Sequence, residues 1–177
     1  MKRILIFIAL FSIPVLNKAQ NTPVDALFDK YSGKDGFTTV YITKYMFDMF
    51  RSHDVENKDA EDVNRILGKL NSIKILTVED STVLGKGVNF YNEIMKDLPR
   101  DKYNELMVVK DKSSNVVFLA REDKGVIVEL LLIAGGAEAG DNVLISIQGQ
   151  INLDDISKLS KTLNIEGMEP LEDLDKK

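Results

Sequence analysis

Residues 116–148 read VVFLAREDKGVIVELLLIAGGAEAGDNVLISIQ, and their patterning decides the fold. Three apolar runs, Val116 to Arg121, Val126 to Ala134 and Val143 to Gln148, are separated by Glu122 to Gly125 and by Gly135 to Asn142, which are polar or glycine-rich links of hairpin length. Such runs are predicted strands, and links this short make antiparallel neighbours the economical pairing. In the last run Val143, Ile145 and Ile147 alternate with Leu144, Ser146 and Gln148, the period of a strand with one covered and one wetter face. Val126 to Ile133 is apolar at both parities apart from Glu129, which places it at the centre of a sheet.

Working outward, Glu105 to Lys110 adds a fourth strand to this meander across the link Asp111 to Asn115, and Phe37 to Thr43 and Ile73 to Val78 supply two more. Helices are predicted over Val24 to Tyr31, with Leu27, Phe28 and Tyr31 on one side, and over Lys44 to Ser52, which carries Met46, Phe47, Met49 and Phe50. His53 to Lys58 reads as a loop. Asp59 then caps a helix with Val63, Ile66, Leu67 and Leu70 at i, i+3, i+4, i+7. Asp80 to Leu98 carries the longest stripe, Leu84, Val88, Tyr91, Met95 and Leu98, with Ser81 or Thr82 as cap and Pro99 as stop. Asp154 to Leu163 forms a final helix through Ile156, Leu159 and Leu163, and 165–177 is an acidic tail. The expected architecture is a single α+β domain over 20–164, with a mainly antiparallel sheet of about six strands and helices packed on one face. The other face would then present Leu130 and Leu132, or their alternates, beside Val117 and Leu119, an apolar area of the kind that marks a partner site. The alternative is that the early helices cover this second face.

The composition narrows the chemistry. The 177 residues include no cysteine and one histidine, His53, so disulfides, thiolate metal sites, a Cys nucleophile, a lipidated N-terminal Cys and any site needing two imidazoles are excluded. Met1-Lys2-Arg3 precedes the apolar run Ile4 to Leu16 and then Asn17-Lys18-Ala19, which reads as a secretory signal peptide over 1–19 cleaved after Ala19. Thirteen helical residues rise about 20 Å against roughly 30 Å of hydrocarbon, so a permanent membrane span is not expected, although an uncleaved N-terminal anchor is the competing reading. The remaining chain holds 20 basic and 28 acidic residues, a net charge of -8. That charge repels phosphate backbones and anionic lipid and argues against nucleic-acid binding. The expectation is an exported protein of the periplasm or cell exterior, free of a lipid anchor and stabilised by its core alone.

The stretches FDKYSGKDGFTTVYIT (28–43), IKILTVE (73–79) and above all LISIQGQINLDDISKL (144–159) resemble a secreted family of Bacteroidetes known as domain of unknown function 4252, over roughly residues 25 to 163. The resemblance implies an envelope or exported protein of that bacterial group. Many relatives are lipoproteins, and this chain departs from them in lacking the cysteine that a lipid would need. It carries over no catalytic or binding residues.

No catalytic constellation emerges from the residues themselves. His53-Asp54 stands in a polar loop without a G-x-S-x-G elbow and reads as a solvated histidine. Leu84-Gly85-Lys86-Gly87 and Gly135 to Gly140 lack the spacing of phosphate loops, and the second reads as a flexible hairpin link. Glu79-Asp80 and Asp154-Asp155 stand at predicted helix starts, where acidic residues cap N–H groups. No calcium loop is present, and no metal or cofactor is implied. Glu129 is the exception to a bland surface: a carboxylate among Val, Ile and Leu has a raised pKa and functional promise unless a partner such as Arg121 or Lys110 on a neighbouring strand neutralises it. The function expected is therefore a non-enzymatic module binding a protein partner or a second copy through its sheet face or edge, with Glu129, Leu130, Leu132, Val117 and Leu119 as candidate residues. The alternative is a hydrolase or small-ligand carrier with Glu129 in a pocket.

Overall fold

The structure, a computed structural model, describes residues 22–51 and 58–152. The signal segment with Ala19, His53-Asp54, the helix expected over Asp154 to Leu163 and the acidic tail lie outside the described residues. Six strands, β1 (Phe37–Thr43), β2 (Leu70–Val78), β3 (Asn104–Lys110), β4 (Ser114–Asp123), β5 (Val126–Gly136) and β6 (Val143–Ile151), form one sheet in the order β1-β2-β6-β5-β4-β3. Every neighbouring pair is antiparallel. The meander β3 to β6 follows from its short links, and β5 is central beside β6, as its two apolar parities require. The β3–β4 turn is tied by Asp111, whose carboxylate accepts the N–H groups of Ser113 and Ser114 at 2.6 and 2.7 Å. Those bonds hold its pKa down to about 2.

Among the described residues four α-helices pack on this sheet: α1 (Pro23–Tyr31), α2 (Lys44–Arg51), α3 (Lys58–Leu67) and α4 (Phe90–Asp97). The Thr22 hydroxyl accepts the Asp25 N–H and caps α1, which buries Val24, Leu27, Phe28 and Tyr31. These side chains join Phe90, Ile94 and Met95 of α4 and Leu76, Val117, Leu119, Leu131, Ile133 and Leu144 of the sheet in one core. Burial pushes the Asp25 carboxyl up, but hydrogen bonds from Lys74 and Thr22 outweigh it and hold the group below its ordinary value. On the opposite face, Phe47 of α2 and Ile66 of α3 join Leu70, Phe118, Ala120, Leu130, Ile147 and Ile151 in a second core. The α+β class stands, but the helices occupy both faces rather than one, because the early α2 and α3 turn to the second.

Three expectations change in detail. The stripe from Asp80 to Leu98 is not one helix: a 3-10 turn over Ser81–Lys86 is capped by Asp80, stops at Gly87 in the left-handed region (φ 80°), and restarts as α4 with Asn89 as cap. Gly87 allows that stop because a side chain there would be strained. Leu70 begins β2 rather than ending α3, although it remains buried. The link Gly135 to Asn142 is an ordered junction. A Cβ on Gly135 would lie 2.7 Å from the Tyr91 N and would also strike Asn89 Oδ1, so the first turn of α4 rests directly on the backbone of β5.

Candidate functional site

Pairing register places Arg121 of β4 opposite Glu129 of β5, Glu129 opposite Gln148 of β6, and Gln148 opposite Ser72 of β2. A polar row therefore crosses four strands on the face that carries α1 and α4, next to the apolar layer of Leu119 and Leu131. Glu129 is fully buried, with 0% exposure. Its Oε2 accepts the Tyr103 hydroxyl and Arg121 Nε, each at 2.9 Å, and its Oε1 accepts the Ser146 hydroxyl at 3.2 Å and Gln148 Nε2 at 3.3 Å. The Ser72 hydroxyl donates to Gln148 Oε1 at 3.4 Å and completes the row. Four donors occupy the four lone-pair positions of the carboxylate, so Glu129 has none to spare for a reacting proton. Of the two partners considered from sequence, Arg121 fills the role, and Lys110 lies at the far end of β3, opposite Asn115.

The network reshapes its members. Burial, and then the neighbouring Glu129 charge, push the Tyr103 phenol well above its ordinary range. Burial works against the Arg121 cation, yet the hydrogen bond and charge of Glu129 outweigh it and raise the guanidinium pKa. Loss of the Tyr103 hydroxyl alone removes one of the four donors. Tyr103→Phe is expected to lower stability by about 1 kcal/mol, read as a shift of the urea midpoint at unchanged slope, and no shift would mean that this bond contributes nothing net.

In front of the row lies an open cleft of about 600 Å³. Its lining includes the cations Lys102 and Arg121, the carboxylates Asp101, Glu122 and Asp123, and the amides of Asn71, Asn104 and Gln148. All four register shifts of the sheet fall at this end, at Leu70/Ser72, Glu105/Met107, Arg121/Glu122 and Ile127/Glu129. Two of the extra residues, Asn71 and Val128, line the cleft. Bulges of this kind bend a strand and re-aim its side chains, and they are enriched beside functional sites. Among the described residues no cluster of three or more His, Cys, Asp or Glu is placed to hold a metal ion.

The remaining candidates separate. Val117 and Leu119 lie under α1 and α4, whereas Leu130 and Leu132 belong to the opposite face, so the four do not form one patch. Val117, Leu119 and Leu130 are buried and Leu132 is half-buried, which withdraws them from any partner in this fold. The cause is one bulge. Continuing the Asp123↔Val126 pairing without interruption would set Leu119 opposite Leu130 and Val117 opposite Leu132, and the shift at Arg121/Glu122 moves their partners to Leu131 and Ile133. Exposed apolar side chains occur instead on α2, where Tyr45, Met46, Met49 and Phe50 are 75%, 42%, 50% and 59% exposed and only Phe47 points into the core. Spacings of three and four residues bring them together on the helix surface. The outer strands add Val40 and Tyr41 on β1 and Val108 and Val109 on β3.

Sequence reading singled out Glu129 and Arg121 but not Tyr103, Ser146 or Gln148. The two β6 residues stood in its wetter parity, the one available signal, whereas Tyr103 is brought in by the turn after α4. Among the described residues no helix is long and apolar enough to cross a membrane. No curated protein and no solved structure matches this chain. The family description that does match, over residues 31–159, is Domain of unknown function (DUF4252), and the chain belongs to that family.

Proposed function

We propose that this protein is an exported, non-enzymatic module that binds another protein through α2. The observation that carries the reading is the cluster Tyr45, Met46, Met49 and Phe50, four large apolar side chains exposed on a helix of eight residues. Aromatic and methionine side chains are enriched in interface cores, and methionine adapts its shape to a partner at little cost. The helix follows directly on β1, which among the described residues is an outer strand, so a partner seated on α2 also reaches that strand. Saturation of Glu129 argues against the hydrolase alternative, since its carboxylate serves as a structural anchor. Export rests on the basic start, apolar run and small residue of Met1 to Ala19.

Crosslinking in the native envelope, followed by identification of the captured protein, tests the reading. The doubly substituted Met49→Glu, Phe50→Glu protein is expected to lose capture at least about tenfold, since single interface anchors contribute on the order of 2 kcal/mol. Its thermal midpoint should stay unchanged, because both side chains are exposed. Equal capture by the substituted protein would remove α2 as the binding surface.

A further inference from the structure

We propose that the cleft at the bulged end of the sheet binds a small zwitterion, a free α-amino acid or a short peptide, with its carboxylate on Arg121 and its ammonium among Asp101, Glu122 and Asp123. The proposal is independent of the α2 surface and begins with how Arg121 is held. Its Nε donates to Glu129 Oε2 at 2.9 Å, and that carboxylate is itself fixed by Tyr103, Ser146 and Gln148. The guanidinium is thus anchored by one edge, while its side chain remains 36% exposed in the wall of the cleft. Tyr103 also stands within hydrogen-bonding reach of the guanidinium, so part of its remaining N–H groups, not all of them, is left for a ligand. A planar fork of five N–H donors, of which Glu129 and Tyr103 engage only some, can still receive a ligand carboxylate.

The rest of the wall selects the other half of the ligand. Asp101, Glu122 and Asp123 outnumber Lys102 and Arg121, so a phosphate or polyanion meets net negative charge, whereas an ammonium is attracted. Among the described residues these three carboxylates form no ion pair. Glu122 takes only the Asn104 amide, at 3.3 Å. Asn71, Asn104 and Gln148 offer both donors and acceptors, as a peptide or amino-acid backbone requires. The volume of about 600 Å³ lies within the range of small-molecule sites. The bulges at Asn71 and Val128 give the cleft its shape, which a regular sheet end would not have.

Backbone-amide NMR titration of the purified protein tests this with four probes: L-alanine, L-alanyl-L-alanine, N-acetyl-L-alanyl-L-alanine and L-alanyl-L-alanine amide. Shifts confined to residues 101–104, 121–123 and 148 are expected with at least one uncapped probe, and the stronger of the two uncapped probes identifies the source of the zwitterion. Capping either end should weaken binding at least about tenfold, the loss of one charge-assisted contact. Arg121→Lys should weaken it similarly. The exposed pair Glu122→Gln, Asp123→Asn, which leaves the core untouched, should abolish the preference for a free ammonium. The proposal is overturned if no uncapped probe shifts these amides, if capped and uncapped dipeptides bind alike, or if the exposed double substitution changes nothing.

Discussion

Glu129→Ala is expected to lower the free energy of unfolding by about 3–5 kcal/mol, the usual consequence of removing one partner from a buried ion pair. Glu129 has no exposure, and its loss strands the Tyr103 hydroxyl, the Ser146 hydroxyl and the Gln148 amide beside a new cavity. Arg121, partly exposed, recovers some hydration by turning outward, which limits the damage. Glu129→Gln should cost less, because it keeps the shape and two acceptor positions. Adding Arg121→Met to Glu129→Ala removes the orphaned cation, so the double substitution should be less destabilising than the sum of its parts. Urea unfolding of the parent protein, Glu129→Ala, Arg121→Met and the double substitution gives the cycle, and a Glu129→Ala effect below about 1 kcal/mol would mean that the row is ornamental.

Asn142→Ala should be comparably severe, at about 3 kcal/mol. Asn142 is fully buried: its Oδ1 accepts the Phe90 N–H at 3.2 Å, and its Nδ2 donates to the carbonyls of Gly136 and Glu138, each at 3.1 Å. One side chain thereby joins the start of α4 to the turn between β5 and β6, and alanine leaves the buried Phe90 N–H without a partner and strips two part-buried carbonyls of theirs. Hydrogen exchange at the Phe90 amide should accelerate more than exchange at the Ile42–Thr43 end of β1, which pairs with Ser72 and Ile73 at the other end of the sheet from Phe37 and Val78. Uniform acceleration across both would show that the residue stabilises the domain only globally.

Much of the architecture was legible because β-branched runs and short links leave few alternatives. β1 was read at its observed limits, and β3 to β6 within a few residues. The break at Gly87 was hidden for a physical reason. Leu84, Val88 and Tyr91 do pack against the core, so the apolar stripe is real although the helix carrying it is interrupted. Pattern reports which side chains face inward and says less about the backbone that holds them. The Arg121–Glu129 pair was readable as opposite charges on adjacent strands, but the cleft beside it depends on register shifts that leave no signature in composition. Asn142 looked like linker, since a polar residue in a glycine-rich stretch is ordinarily solvated, and only the approach of α4 makes it buried.

The position of β6 also governs the order in which the molecule can assemble. The last of the described strands occupies the middle of the sheet, and among the described residues β2 has no neighbour but β1 until Val143–Ile151 is present. A two-stranded ribbon is marginal in water by itself, so β1 and β2 gain a lasting place in the sheet only when β6 joins them. Closure then comes in a late step, when Ile147 finds Ile73 across more than seventy positions of chain.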